Sequence, residues 1–275
     1  MSSAPLRVAG LTKDFGGLRA VEDVSFEVQA GEFVGLIGPN GCGKTTIFNC
    51  ISGLLNQTEG HIEVFGEDIA DLRPDQIQSI GLTRTFQHTR LWQGLTVIEN
   101  LLVPARAQFS PNLLLSLFRP RSRPAERQRL VDAYAILDML EVPHMAHNLT
   151  RELSGGQSKL VDIGRALMGT PRFLLLDEPV AGVAGPLAEK IFNNLRALVS
   201  DTGTSILVIE HNMDFILRHG VDRIIVMDQS RILMEGTPDE VKASRAVIEA
   251  YLGGVGAEDS TDAEALGRVR VGELE

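Results

Sequence analysis

Cysteine is scarce in this sequence: Cys42 and Cys50 are the only two among 275 residues. Both fall within one predicted loop and the helix that follows it, where eight residues of helix would separate them by about 12 Å. That separation is too long for a disulfide, and the lack of a CxxC or Cys/His cluster argues against structural zinc. We therefore expect a reducing, cytoplasmic setting.

Positive charge is also in short supply. The chain has 26 lysines and arginines against 36 aspartates and glutamates, a formal net charge of −10. This balance argues against a non-specific nucleic-acid binder, which needs a basic face. It argues equally against attachment to an acidic membrane surface by charge alone.

Long apolar runs are missing as well. The longest, at 112–118 and 173–176, fall well short of the ~20 residues that a membrane-spanning helix needs. The N-terminal residues have no apolar core of signal-peptide length. We expect no segment of the chain to span a bilayer, so a partner would have to supply any channel.

The pattern of apolar residues predicts alternating strands and helices, interrupted by a helical stretch. The apolar run 33–37 is typical of a strand buried on both faces. Other predicted strands cover 6–11, 24–28, 61–65, 80–86, 173–176, 205–209, 223–227 and 231–234. Predicted helices cover 44 to about 54, 96–103, 123–141, 156–168, 186–199, 212–219 and 243–252. We expect one domain at 6–252 with a helical insertion at about 88–168, followed by a flexible acidic tail at 253–275.

A phosphate-binding loop follows the strand 33–37. Its eight residues match GxxxxGK[ST]: Gly38, Pro39, Asn40, Gly41, Cys42, Gly43, Lys44 and Thr45. The glycines allow successive N–H groups to point inward at the positive end of a helix, where they bind anions. We expect Lys44 to reach the β- and γ-phosphates of ATP, Thr45 to place its hydroxyl on Mg²⁺, and Thr46 to contact the α-phosphate region. A chance glycine-rich turn is the alternative, which the strand–loop–helix context disfavours.

Two carboxylates end the apolar strand 173–176. A parallel sheet would bring Asp177 and Glu178 beside the phosphate-binding loop. Asp177 would then hold Mg²⁺, largely through water, and Glu178 would act as general base on the attacking water. Two solvated carboxylates at a strand end are the alternative.

A motif that is specific to fewer proteins ends 20 residues before Asp177. The run Leu153–Gln157 reads LSGGQ, with Ser154 able to cap a helix and Gly155 and Gly156 permitting close approach to a phosphate. It resembles the signature of ABC-type ATPases. In that family Ser154, Gly155, Gly156 and Gln157 would contact the γ-phosphate of ATP held by a second copy or a homologue.

The resemblance implies roles for three further residues. Gln87 would contact Mg²⁺ and the attacking water, and would couple the core to the helical insertion. His211 would contact the γ-phosphate and align Glu178, while Phe15 would stack on adenine. The alternatives are a solvated glutamine, a structural histidine and a core phenylalanine. Ala184 departs from the family pattern, because a polar residue usually stands there and an alanine side chain cannot form a hydrogen bond.

Longer stretches indicate which branch of the ABC family the sequence resembles. Four stretches are similar to the ATP-binding subunits of branched-chain, or hydrophobic, amino-acid importers: residues 84–87, 91–100, 208–214 and 247–253. ATPases of urea or amide importers and of lipopolysaccharide exporters share parts of these stretches. The implied fold is a P-loop NTPase (RecA-like) core with an antiparallel β subdomain and an inserted α-helical subdomain.

The family implies how such a chain works. Two copies, or this chain and a paralogous ATPase, would enclose ATP and Mg²⁺ at the cytoplasmic face of the membrane. Integral membrane permease subunits would dock on the insertion at about 88–125, where Leu113–Phe118 is either part of the contact or local core. The chain would touch neither nucleic acid nor the transported solute. A soluble ABC ATPase and a non-catalytic nucleotide-binding regulator are the rivals.

Cys42, near a helix N-terminus, is expected to favour its thiolate.

Overall fold

The computed structural model describes residues 4–85, 91–107, 123–218 and 220–253. They form two sheets. The first is antiparallel, in the order β2-β1-β4-β5, and the second is parallel except for its edge strand β10, in the order β10-β9-β3-β8-β7-β6. The strands are β1 Leu6–Phe15, β2 Leu18–Val28, β3 Phe33–Ile37, β4 Glu59–Val64, β5 Glu67–Asp68, β6 Leu82–Arg84, β7 Phe173–Asp177, β8 Ser205–Ile209, β9 Arg223–Asp228 and β10 Arg231–Gly236.

The helices divide into those that lie elsewhere along the chain and those that lie between β6 and β7. Helices α3, α4 and α5 belong to the second group and pack on one another. The helices are α1 Lys44–Ile51, α2 Pro74–Ser79, α3 Val97–Ala107, α4 Arg123–Met139, α5 Gly155–Leu167, α6 Gly185–Thr202, α7 Met213–Arg218, α8 Pro238–Ala243 and α9 Arg245–Gly253. None in the described part of the chain is long and apolar enough to cross a bilayer.

Both faces of the parallel sheet are covered, which explains why β3, β7 and β8 are apolar except for Asp177 and Ser205 at strand ends. All five residues of each strand are buried. In β3, Val34 and Leu36 pack with the antiparallel sheet and α1, whereas Phe33 and Ile37 pack with the helices on the opposite face. This alternation follows from the period of two in a strand. The predicted class, an α/β core with an antiparallel sheet and inserted helices, is confirmed.

Several predicted boundaries were wrong for local reasons. β1 extends past its predicted end at residue 11, and β2 begins before its predicted start at residue 24, so that both reach their shared turn through residues that pair across the antiparallel ladder. Helix α1 ends at Ile51, since Gly53 adopts a left-handed φ of 69°. Helix α8 was missed, although Thr237 and Glu240 form a capping box at its start.

The topology brings the predicted motifs to one edge of the sheet. Strand β3 pairs with β8 so that Leu36 lies opposite Ile209, and β7 pairs with β8 so that Asp177 also lies opposite Ile209. The chain segments that leave the carboxyl ends of β3, β7 and β8 are therefore neighbours, as in other open parallel sheets that bind ligands at this edge.

Candidate functional site

The loop between β3 and α1 is shaped by backbone approaches that only glycine allows. Gly43 has a φ of 106°, and a Cβ there would collide with the carbonyl oxygen of Ala20. At Gly38 a Cβ would collide with the carbonyl oxygen of Met227. The loop is thus held against β2 and β9 on either side. Gly43 is also the residue from which α1 begins, so the first N–H groups of α1 face the loop interior.

Lys44 occupies the loop interior. Its Nζ donates hydrogen bonds to the carbonyl oxygens of Gly38, at 2.7 Å, and Pro39, at 2.9 Å. The residue is only 8% exposed. Thr45 is exposed and Thr46 is half-buried at the start of α1, while Asn40 and Gly41 are exposed at the tip of the loop. An ammonium group therefore already lies where the sequence predicts phosphate binding.

The expectation that Cys42 favours its thiolate was wrong. Its side chain is buried, and burial raises the pKa of the Cys42 thiol despite the nearby charge of Lys44. The Nζ of Lys44 lies 3.7 Å from Sγ. Desolvation therefore outweighs both this ammonium group and the helix N-terminus. Cys50 is also a free buried thiol, so neither cysteine forms a disulfide.

Asp177 lies at the end of β7 in a buried ion pair. Its Oδ2 is 3.1 Å from Nη2 of Arg84, and the two side chains are 3% and 6% exposed. Nη1 of Arg84 also donates to Oδ1 of Asn49, at 2.7 Å, and to Oγ of Ser52, at 2.9 Å. Burial raises the pKa of Asp177, and Arg84 opposes that rise. Arg84 thus connects β7 to α1.

Glu178 has an unusual backbone for a non-glycine residue. Its φ is 48°, in the left-handed region, which costs on the order of 1–2 kcal/mol. Its N–H donates to the carbonyl oxygen of Ile209 at 3.0 Å. This turn directs the carboxylate toward His211, whose Nδ1 lies 3.8 Å from Oε1 of Glu178. The structure thus brings together Glu178 and His211, two of the side chains with predicted catalytic roles.

The LSGGQ segment forms the capped start of α5. Oγ of Ser154 accepts from the N–H of Gln157 at 3.3 Å, and Oε1 of Gln157 accepts from the N–H of Ser154 at 2.8 Å. Ser154 and Gly155 are exposed, whereas Gly156 is buried against the carbonyl oxygen of Gly182. The predicted cap is confirmed, and the exposed helix start is accessible to an anion from outside the chain.

The remaining predicted positions differ in what the structure says of them. Phe15 ends β1 with its side chain 45% exposed, so it is not a core phenylalanine, and Nζ of Lys13 lies 5.1 Å from its ring centroid. Gln87 lies outside the described residues, as do Leu113–Phe118 and the chain from 254 onward. Ala184 is the N-cap of α6 and forms no side-chain cap.

Lys159 and Glu210 have no role predicted from the sequence. Nζ of Lys159, on α5, donates to the carbonyl oxygen of Glu178 at 3.0 Å. Glu210 directly precedes His211 and is 2% exposed, and burial raises its pKa to about 8. Its Oε1 accepts no hydrogen bond within the described part of the chain. The one available signal was the position of Glu210 between an apolar strand and the predicted histidine.

Comparison with known proteins adds family information to this geometry. Residues 21–181 match the family described as ABC transporter, and residues 231–257 match that described as branched-chain amino acid ATP-binding cassette transporter. The chain is 39% identical to the high-affinity branched-chain amino acid transport ATP-binding protein BraF of Pseudomonas aeruginosa, covering 92% of this chain and 99% of that protein. The corresponding LivG protein of Escherichia coli is 38% identical, with coverage of 92% and 99%.

Solved structures agree with this similarity. A nucleotide-free ATP-binding cassette from an ABC transporter superposes with a TM-score of 0.76 at 38% identity, covering 90% of this chain and 99% of that one. A cassette in its ADP conformation gives 0.77 at 38%, with coverage of 91% and 99%. A dimeric bacterial ABC transporter cassette gives 0.74 at 28%, with coverage of 85% and 98%.

Proposed function

The chain belongs to the ABC transporter family of ATP-binding proteins, and from that membership we propose that it hydrolyses Mg-ATP to power the import of branched-chain amino acids. As a member of this family it is an ATP hydrolase. The observation that carries the proposal is the pairing of Glu178 with His211 at the sheet edge that also bears the phosphate-binding loop. The solute class follows from the names of the similar proteins.

ATP would bind with its phosphates in the loop 38–45. Lys44 would then exchange the carbonyl oxygens of Gly38 and Pro39 for β- and γ-phosphate oxygens, a stronger charge-assisted interaction. The first N–H groups of α1 would hold the same anion. The exposed ring of Phe15 would stack on adenine.

The hydroxyl of Thr45 and the carboxylate of Asp177 are hard oxygen donors of the kind that Mg²⁺ prefers, so the residues present fit this ion. The described residues contain no cluster of three or more His, Cys, Asp or Glu side chains able to hold a metal alone. Phosphate oxygens, water and Gln87 would complete the coordination. When bound, Mg²⁺ supplies positive charge that offsets the charge of the phosphates.

The chemical step would depend on Glu178 and His211. Glu178 would take the proton of the attacking water, a role worth ~10²–10⁴ in rate. His211 would donate to the γ-phosphate and hold the carboxylate in line, since the two side chains are already 3.8 Å apart. Gln87 would help to orient the same water.

A second copy or a paralogous ATPase would complete each site. The exposed Ser154 and Gly155 at the start of α5, with Gly156 and Gln157, would close on the γ-phosphate held by the partner. The homodimer and the heterodimer have the same requirements at this surface, and neither involves nucleic acid or the transported solute.

Permease subunits would dock between α2, which packs on the edge strand β6, and the inserted helices. A cavity of about 230 Å³ lies there, and Leu54, Pro74 and Ile77 contribute from one side while Pro104, Arg165 and Ala166 contribute from the other. A short helix of a permease placed there would sense relative movement of the two parts. The chain would therefore act at the cytoplasmic face of the membrane.

The test uses Glu178→Gln, which removes the base and keeps the side-chain shape. We expect this variant to bind ATP, to release phosphate at least ~100-fold more slowly than wild type, and to form an ATP-dependent dimer in light scattering. Glu67→Gln, exposed on β5, is the matched control. Unimpaired phosphate release by Glu178→Gln would refute the assignment. For the solute, leucine uptake should be restored to a deletion strain by the wild-type gene and not by this variant.

A further inference from the structure

Lys159 connects α5, the signature helix that begins with the LSGGQ segment, to the predicted catalytic residue Glu178 of the same chain. It lies on α5, five residues after the N-cap Ser154, and is half-buried. Its Nζ donates to the carbonyl oxygen of Glu178 at 3.0 Å. That carbonyl oxygen also accepts from the N–H of Ala181 at 3.3 Å. The ammonium group therefore helps to hold the peptide that leaves Glu178.

The backbone at this point needs such support. Glu178 adopts a left-handed φ of 48°, which an L-residue rarely adopts without surrounding constraints. The direction of its side chain depends on that backbone, and in this conformation Oε1 lies 3.8 Å from Nδ1 of His211. Releasing the carbonyl would let the backbone relax and carry the carboxylate away from His211.

A second contact joins the same two segments. Gly156, in the first turn of α5, packs so closely on Gly182 that an added Cβ would lie 2.7 Å from its carbonyl oxygen. The segment 178–182 is thus held at both ends by α5, by a steric contact at Gly156 and by a charge-assisted hydrogen bond at Lys159. A displacement of the start of α5 must therefore be transmitted to Glu178.

The electrostatics agree with this placement. Burial raises the pKa of Asp177 and of Glu210, and the positive charge of Lys159 is among the interactions that oppose both rises. Lys159 is therefore close enough to influence acidic groups at the ends of both β7 and β8. Its charge therefore acts on more than one carboxylate. A single surface ion pair would contribute little.

We propose that Lys159 is a positioning residue that couples the signature segment, residues 153–157, to Glu178. The signature segment would contact the partner's ATP, and Glu178 would act on the ATP bound by its own chain. This inference rests on the proposed function. It supplies a connection between the two ATP sites that does not need a polar side chain at position 184, where Ala184 offers none. Closure on the partner's γ-phosphate would move the start of α5 and, through Lys159 and Gly156, set Glu178 toward its water.

The test compares Lys159→Met, which keeps the length of the side chain and removes the charge, with Lys159→Arg, which keeps a charged donor. Phosphate release by the full-length chain is measured against ATP concentration. We expect Lys159→Met to lower kcat roughly 10- to 100-fold with KM changed by less than about twofold, and to lower the Hill coefficient toward one. Lys159→Arg should restore most of both.

The control is Lys190→Met, which removes a lysine on α6 that pairs with Glu141 at 3.3 Å and is exposed. It should match wild type. Turnover and Hill coefficient of Lys159→Met within about twofold of wild type would overturn the inference, as would equal impairment of the arginine variant. Glu178→Gln in the same assay separates the two proposals. If it is inactive while Lys159→Met is fully active, only this inference fails, whereas an active Glu178→Gln refutes the proposed function itself.

Discussion

The guanidinium group of Arg84 and the carboxylate of Asp177 form an ion pair of 3.1 Å that is almost completely shielded from water. The pair joins β6 to β7 at the sheet edge that carries the candidate site. Because Arg84 also donates to Asn49 and Ser52, the same side chain ties this edge to α1. Asp177 is therefore fixed in position before any nucleotide binds.

Removing Arg84 should destabilise the fold strongly. Arg84→Met leaves the carboxylate of Asp177 buried without its partner, and we expect a loss of ~3–5 kcal/mol in the free energy of unfolding in urea. The double variant Arg84→Met/Asp177→Asn should recover part of that loss. Arg73→Met is the control, since Arg73 pairs with Asp75 at the exposed surface, and we expect its stability to match that of wild type. If Arg84→Met and Arg73→Met lose the same free energy of unfolding, the ion pair of Arg84 with Asp177 is not a buried, stabilising contact.

Glu210 should make stability depend on pH in the direction opposite to that of a typical carboxylate. Burial raises its pKa in the folded chain from 4.5 to about 8. Between these two values the folded chain holds a proton that the unfolded chain has released, so the free energy of unfolding falls by ~1.4 kcal/mol per pH unit as pH rises. Below the lower value the contribution is fully present, and above the upper value it is lost.

Glu210→Gln cannot ionise and should remove this dependence. We expect the variant to gain stability relative to wild type as pH rises from 5 to 8, with a total change on the order of 4 kcal/mol. Urea unfolding at each pH measures it. The control is Glu240→Gln, because hydrogen bonds from the backbone and side chain of Thr237 lower the pKa of Glu240. A constant difference between Glu210→Gln and wild type would show that Glu210 is ionised in the folded chain.

Local patterns predicted most of the fold because the central strands are uniform. Strands β3 and β8 begin and end where the sequence predicts, at 33–37 and 205–209, since every residue in each is apolar or small and buried. Strands β1 and β2 were predicted too short, because they mix polar and apolar residues and their pairing across the turn is set by the partner strand. Propensity alone does not contain that information.

The candidate site was predicted from short motifs, those at residues 38–45 and 153–157. Contacts between distant residues were not. Arg84 and Asp177 are 93 positions apart, and nothing near either in sequence indicates that they meet. The same holds for Lys159 and Glu178, because a hydrogen bond to a backbone carbonyl leaves no mark on the identity of the residue that accepts it.

The thiol of Cys42 should react slowly in the folded chain. Burial raises its pKa, so the thiolate that attacks an alkylating reagent is rarer than in a free cysteine. In a Cys50→Ser background, we expect alkylation by iodoacetamide at pH 7.5 to be at least ~10-fold slower in buffer than in denaturing urea. Equal rates would mean that the phosphate-binding loop opens readily. ATP should slow the reaction further, since Lys44 and the loop would then enclose the phosphates.

Two adjacent glycines of the signature segment should respond differently to the same substitution. In Gly156→Ala the new Cβ would lie 2.7 Å from the carbonyl oxygen of Gly182, a backbone atom that can move only with its loop. We expect a loss of ~1–3 kcal/mol in the free energy of unfolding. Nothing lies within 4 Å of a Cβ at Gly155, so Gly155→Ala should be as stable as wild type or gain up to ~1 kcal/mol from its helix propensity.

Because both substitutions add one methyl group at the start of the same helix, propensity affects them alike, and only the contact with Gly182 separates them. Urea unfolding of the two variants therefore isolates the packing of α5 on the segment 178–182. If Gly156→Ala proves as stable as Gly155→Ala, that segment is free to shift away from α5. The steric half of the link between the signature helix and Glu178 would then be absent, and any coupling would depend on the hydrogen bond of Lys159 alone.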